Sequence, residues 1–382
     1  MKTVADRFAG VRSSLALDED ALRKYPDLID LSIGDTDIIT DRRIIDAAME
    51  DAHRGYTRYG FPQGDPELID GIRRAWKEDF DQEIDRDSIL VTGSSCLGMG
   101  ELLLAILNPG DEVIVIGPYF GVYRQQIELA TGVCREVVTR EEDSWGIDEE
   151  RLRAAVTNRT RAVIFNNPSN PTGVFYSLAD MQTLAKVAKE YDLLVLADEI
   201  YTRYVFDGKF IPMRTLPGME ERTVTLNSFS KNFMMTGWRV GYIIAIPEIR
   251  RATQMVSSGL IYTAPSVSQR AALHALPLRD ELQWTVIARY RQRVMDASDM
   301  IEKIPYMTLV RPRGTFYLFP GIRGTGLTSS AFCAKALQEA HVLLSPGDAF
   351  GEAGRGYFRI ACTAAEEKIH EALVRLSSLS FD

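Results

Sequence analysis

The run Tyr191-Asp192-Leu193-Leu194-Val195-Leu196-Ala197-Asp198 places an unbroken apolar stretch between two carboxylates. A short run of this kind reads as a strand buried on both faces, with the Asp198 carboxylate emerging at its carboxyl end. Comparable runs lie on either side: Ile89 to Thr92, Val113 to Ile116 and Arg161 to Phe165 before it, Thr223 to Leu226 and Val240 to Ile244 after it. Helical patterns separate them. This alternation, from Ser88 to Ile246, predicts an α/β fold with a mostly parallel sheet covered by helices on both faces. Open sheets of that kind bind ligands in crevices beyond the carboxyl ends of their strands, and Asp198, Asn170 and Ser94 each follow a predicted strand at that edge.

Outside this region the pattern changes. The turn Asn108-Pro109-Gly110-Asp111 breaks a helix that begins near Ser95. After about Ala275 come a long polar helix from Asp280 to Lys303, short strands at Thr308 to Pro312 and Thr315 to Phe319, a helix from Ser329 to Ala340 and a last strand from Tyr357 to Ala361. A chain of 382 residues exceeds what one hydrophobic core organises, so two domains are expected. The expected boundaries are 46–275 for a large domain, and 1–45 with 276–382 for a smaller α+β domain formed by both chain termini.

Composition narrows the function. A net charge of -9 argues against a nucleic-acid partner. No apolar run approaches the roughly 20 residues that span a bilayer, and Met1 to Arg7 lead into no apolar signal core, so a soluble, cytoplasmic protein is expected. Cys96, Cys134, Cys333 and Cys362 lie far apart and read as reduced thiols. His53, His274, His341 and His370 share no ligand spacing, and no metal is assigned. The glycine-rich Gly351 to Gly356 follows no strand and reads as a loop, and Glu141-Glu142-Asp143 as a solvated one.

Several residues could carry chemistry. Lys231 follows the apolar Val224-Thr225-Leu226 and precedes Arg239 by eight positions. An amine becomes a nucleophile only after losing its proton, which apolar surroundings and a neighbouring cation favour. A buried carboxylate such as Asp198 needs a partner, although a helix cap is an equal alternative. Asn170 sits between Pro168 and Pro171 in a turn that presents its amide rigidly, or is ordinary turn chemistry. Ser94, Ser95 and Cys96 lie where a strand turns into a helix, a place suited to phosphate or to simple capping. Arg359, in Tyr357-Phe358-Arg359-Ile360-Ala361, has a fork that suits a carboxylate, or faces solvent on an alternating strand.

Together these residues carry a resemblance. Leu31-Ser32-Ile33-Gly34-Asp35, Tyr59 before Gly64-Asp65-Pro66-Glu67-Leu68, Asn166-Asn167-Pro168-Ser169-Asn170-Pro171-Thr172-Gly173, Asp198-Glu199-Ile200-Tyr201, Ser228-Phe229-Ser230-Lys231 and Arg359 occur in the order and spacing of one family. Over nearly its whole length the chain resembles the class I/II aminotransferases of the fold type I pyridoxal-phosphate family, similar to aspartate aminotransferase. The resemblance implies a seven-stranded sheet and pyridoxal 5'-phosphate as cofactor, with a ping-pong transfer of an amino group from an L-amino acid to a 2-oxo acid such as 2-oxoglutarate. It makes Lys231 the Schiff-base former and proton shuttle, Asp198 the partner of the ring nitrogen, and Tyr201 and Asn170 donors to the ring's phenolate oxygen. Phe120 stacks on the ring. Ser94, Ser95, Cys96, Ser228 and Arg239 hold the phosphate together with Tyr59 of a neighbouring subunit, so a homodimer is implied. Arg359 takes the substrate α-carboxylate, with Gly34 and Asn170 beside it. Cys96 and Asp35-Thr36-Asp37 depart from the family's commoner residues. Dicarboxylic, aromatic and aliphatic substrates all stay open, and a lyase of the same fold is the alternative.

Overall fold

A computed structural model describes residues 24–381. Chain order opens with the short strand β1 (Ile29–Asp30), the helix Arg42–His53 and the helix Pro66–Phe80. The sheet strands follow: β2 (Ile89–Thr92), β3 (Glu112–Gly117), β4 (Val133–Val138), β5 (Thr160–Asn166), β6 (Leu194–Asp198), β7 (Thr223–Ser228) and β8 (Gly241–Ile244). They form one seven-stranded sheet in the order β2-β8-β7-β6-β5-β3-β4. All neighbours pair in parallel except β8, which runs antiparallel to both β7 and β2. Helices cover the sheet, giving the expected α/β class.

Burial explains the reading. Every residue of β2, β3, β7 and β8 is buried, so those strands appear in sequence as mostly apolar or small-residue runs, Glu112 at the start of β3 and Asn227 near the end of β7 being buried polar exceptions. β4 was not among the runs recognised in sequence. It is an edge strand, half exposed, and Arg135 and Glu136 interrupt its apolar signal.

The strand polarity positions a site. β2, β3, β5, β6 and β7 deliver Ser94, Phe120, Asn170, Asp198 and Lys231 to their common carboxyl edge. β8 runs the other way, so Arg239, just before its first residue, arrives at that edge as well.

The C-terminal part contains β9 (Tyr317–Leu318), the helix Ser329–Ala340, β10 (Val342–Leu343), β11 (Ser345–Pro346), β12 (Phe358–Ala361) and the helix Glu366–Ser377. β12 pairs antiparallel with β11 and β9, while β1 pairs in parallel with β10. Ile29, Leu31, Phe316, Leu318, Phe332, Phe358 and Leu373 share one buried apolar cluster here. One expectation needs correcting. Thr308 to Pro312 is no strand: only Thr308 bridges Gly321, because Arg311 turns outward to Glu302 and Asp299, and Pro312 has no N–H to give a ladder. The long polar helix is present from Arg279 to Ile301, with a wider turn at Gln283–Ile287.

Candidate active site

A cavity of about 610 Å³ opens at the carboxyl edge of the large sheet, between it and the C-terminal part. Ser94, Ser95, Cys96, Phe120, Asn170, Asp198, Tyr201, Ser228, Lys231, Arg239, Gly34 and Arg359 all line it. Tyr59 does not. It is 83% exposed on the outer surface, edge-on to Tyr262 with ring centroids 5.0 Å apart.

Asp198 ends β6 and is buried. Its Oδ2 accepts a hydrogen bond from the Tyr123 hydroxyl at 2.5 Å, while Oδ1 has no partner. Burial pushes the carboxyl up to about 6, and the Tyr123 hydrogen bond opposes the rise. A buried oxygen left without a donor in a cavity wall is a place for a ligand's N–H, best a cationic one.

Lys231 lies in the single helical turn Phe229–Asn232 directly after β7. Its Nζ donates to the Gly34 carbonyl at 2.6 Å and stands 5.5 Å from the Phe316 ring centroid. Residue 34 must be glycine for a concrete reason: a Cβ there would come 1.8 Å from the Tyr317 hydroxyl. That hydroxyl accepts from Tyr201 at 3.2 Å.

Ser94 caps the helix Ser95–Ile106, its Oγ accepting from the Leu97 N–H at 3.0 Å. The first-turn N–H groups of that helix point toward the cavity end, where Ser95 and Cys96 line the wall. The Ser228 hydroxyl donates to the Ser230 hydroxyl at 2.9 Å, and Arg239 donates to the Thr236 carbonyl at 2.6 Å. Hydroxyls, a helix N-terminus and a guanidinium form a donor set suited to a phosphate.

Arg359 sits on β12, which is buried throughout, so the solvent-facing alternative fails. One guanidinium nitrogen donates to Asn170 Oδ1 at 3.0 Å and another to the Ser32 carbonyl at 2.5 Å, while Nε has no partner. The group lies 4.5 Å from the Tyr317 ring and 4.8 Å from the Phe350 ring.

Sequence reading missed Tyr123, Ser230, Tyr317, Leu343, Leu344 and Phe350, all of which line the cavity. Two of them left a trace, Ser230 within the Ser228-Phe229-Ser230-Lys231 segment and Tyr123 as an aromatic four residues after Tyr119. Among the described residues no group of three or more His, Cys, Asp or Glu side chains could hold a metal ion. The donor set fits pyridoxal phosphate instead: a partnerless carboxylate oxygen for the ring nitrogen, an amine on the same cavity, and a phosphate cradle.

Comparison with known proteins agrees with this fit. The family described as Aminotransferase class I and II matches residues 26–376. The chain is 37% identical to the aspartate aminotransferase of Pyrococcus abyssi, over 92% of each chain. It is 36% identical to aromatic-amino-acid aminotransferase 2 of Thermococcus litoralis, over 92% of this chain and 91% of that one. The crystal structure of the aspartate aminotransferase from Rhizobium meliloti superposes with a TM-score of 0.93 at 31% identity, over 98% of each chain.

Proposed function

The chain belongs to the class I and II aminotransferases, enzymes that use pyridoxal phosphate to transfer amino groups, and from that premise we propose that its donors are L-amino acids with apolar side chains and that 2-oxoglutarate accepts the amino group. The observation that carries this reading is the shared cavity wall of Lys231, Asp198 and Arg359, with an apolar surface of Ile33, Leu343, Leu344, Ala349 and Phe350 between them. Among the described residues the cations lining it are Lys231, Arg239 and Arg359, and each has its own task. A distal carboxylate finds no further cation among them. The relatives include enzymes named for aspartate, for asparagine and for aromatic amino acids, and the apolar wall supports a donor of the last kind for this chain.

When bound, pyridoxal phosphate supplies the ring that withdraws electrons and acidifies the donor's Cα–H. In our reading, Lys231 Nζ would hold the cofactor covalently until the donor's amine displaces it, and the amine so freed would take the Cα proton and return it on the cofactor side. Asp198 Oδ1 keeps the ring nitrogen protonated, with Tyr123 holding the carboxylate by its other oxygen. Tyr201 and Asn170 serve the ring oxygen, and Phe120 packs on the ring face. Ser94, Ser95, Cys96, Ser228 and Arg239 hold the phosphate. Arg359 orients the donor's carboxylate, whose negative charge meets the nitrogen that has no partner in its absence.

A homodimer belongs to this reading, with Tyr59 given to the phosphate of a second copy. Its support is the exposed Tyr59, Phe61, Leu260 and Tyr262, large apolar side chains close in sequence or space to one another. The division into 46–275 against 1–45 with 276–382 is likewise part of the proposal, supported by one apolar cluster confined to the sheet region and another built mostly from the C-terminal part, which Tyr201, Tyr204 and Phe206 join; residues 1–23 lie outside the described residues. A cytoplasmic setting is proposed from the reduced thiols. No helix of the described residues is long and apolar enough to cross a membrane.

The test is spectroscopic. The protein is loaded with pyridoxal phosphate and amino acids are added singly while the visible band is followed; phenylalanine and leucine should convert it to the pyridoxamine form faster than aspartate does. Lys231→Ala should leave no cofactor that borohydride can fix to the chain. Conversion by no amino acid, or a fixed cofactor in Lys231→Ala, overturns the assignment, and fastest conversion by aspartate overturns the apolar preference.

A further inference from the structure

Two walls of the cavity come from distant parts of the chain. Phe120 belongs to the segment after β3, and Ala349 and Phe350 to the segment between β11 and β12. Where these walls meet, the Glu136 side chain of the edge strand β4 is only 7% exposed. Its Oε2 accepts from the Glu352 N–H at 2.9 Å and its Oε1 from the Ala353 N–H at 2.8 Å. A third bond, from the Tyr119 N–H to the Phe350 carbonyl at 3.0 Å, closes the same junction.

The surrounding residues are shaped for this contact. A Cβ at Gly117 would come 2.5 Å from Glu136 Oε1, and one at Gly351 would come 2.7 Å from both carboxylate oxygens. Gly351 also has φ +95, a conformation that side chains rarely adopt. A Cβ at Gly121 would come 2.2 Å from the Ala349 carbonyl. Glycines thus clear space on both sides of one buried carboxylate. The nearest cation, Arg124, is 3.9 Å away, so the two backbone N–H groups are its close partners.

We propose that Glu136 is a positioning residue of the transamination: by clamping the amides of Glu352 and Ala353 it fixes the Ala349–Phe350 wall relative to Phe120, and so sets how tightly a donor's apolar side chain is held. This rests on the functional reading above. Glu136 is absent from the residues that line the cavity, and it acts through the loop it holds. Charge-assisted hydrogen bonds to backbone N–H groups are among the stronger ones, and neither alanine nor glutamine can replace both.

The test compares Glu136→Ala and the isosteric Glu136→Gln with the parent holoenzyme. Glu136→Ala should raise the KM for the amino donor roughly tenfold, most for the bulkiest side chains, with kcat within about twofold. Glu136→Gln, which keeps one acceptor, should fall between. Pyridoxal-phosphate affinity, titrated on the apo proteins, should be unchanged, and amide hydrogen exchange at Glu352 and Ala353 should quicken in both variants. If Glu136→Ala does not fold, Glu136→Gln gives the same readouts. Unchanged KM and exchange in the variants overturn the proposal, as does a parallel loss of cofactor affinity. If the parent protein converts no donor, the functional reading fails instead, and the exchange data still decide whether Glu136 holds the loop.

Discussion

Tyr123 donates its phenolic proton to Asp198 Oδ2 across 2.5 Å, leaving Oδ1 as the one oxygen of that carboxylate without a partner. The tyrosine thereby fixes which oxygen faces the cavity. It also restrains the rise to about 6 that burial imposes on the carboxyl. Tyr123→Phe removes both effects at almost no change in volume. At pH 7 more of the carboxyl is then protonated and cannot hold a cationic ring nitrogen. Cofactor affinity should fall roughly tenfold, the scale of a lost hydrogen bond to a charged group. The deficit should shrink at higher pH as the carboxyl ionises. Spectral titration of the apo protein at pH 7 and 8.5 checks this; equal affinities for variant and parent at pH 7 contradict it.

A second buried carboxylate lies outside the cavity. Glu101, on the helix Ser95–Ile106, is fully buried and neither of its oxygens has a hydrogen-bond partner. Burial pushes it up from 4.5 to about 7, which the nearby Ser257 hydroxyl offsets only in part. The native state therefore binds this proton more tightly than the unfolded chain does. Its contribution to stability is present below about 4.5 and is lost as the pH rises through about 7. Above that, the charged carboxylate costs on the order of 3 kcal/mol. Glu101→Gln keeps the shape without the charge, so it should raise the melting temperature at pH 8 and change it little at pH 5. Equal shifts at both pH values would count against the assignment.

What the sequence disclosed follows from local signal. Strands buried on both faces stand out as apolar runs, so β2, β3, β5, β6, β7 and β8 were legible, and their carboxyl ends located Asp198, Asn170 and Ser94. The edge strand β4 was not, because solvent accepts polar residues along it. The opposite wall of the cavity left little trace. Leu343, Leu344 and Phe350 are apolar residues in an apolar context, and only tertiary packing distinguishes a cavity wall from a core. Glu136 is likewise one carboxylate among many until its partners, more than 200 residues away, are seen.

Ser94 has φ 146 and ψ 162, a backbone conformation open to glycine and strained for serine. Such strain costs roughly 1–3 kcal/mol and persists where the surroundings enforce it. Ser94→Gly relieves it. Against that gain stand the lost capping bond to Leu97, a few tenths of a kcal/mol when glycine replaces serine, and the greater freedom of glycine in the unfolded chain, about 0.5–1 kcal/mol. The balance favours the variant by about 1 kcal/mol, visible as a higher urea midpoint at unchanged slope. A lower midpoint would mean that the serine hydroxyl contributes more than its cap.

Arg359 is held between the Tyr317 and Phe350 rings, with two of its nitrogens donating to Asn170 Oδ1 and the Ser32 carbonyl. This leaves the guanidinium plane fixed and Nε without a partner before any substrate arrives. Lysine would keep the charge, but it cannot satisfy two protein acceptors and a bidentate carboxylate at once, and its point charge stacks poorly between rings. Arg359→Lys should lower kcat/KM by roughly a hundredfold, the scale of truncating one member of a buried hydrogen-bonded charge pair. Because the α-carboxylate is common to all donors, the loss should be the same for phenylalanine, leucine and alanine. That uniformity separates it from Glu136→Ala, whose effect should grow with side-chain size. Steady-state kinetics with the three donors distinguishes them, and a loss in Arg359→Lys confined to one donor would place the guanidinium on the side chain instead of the carboxylate.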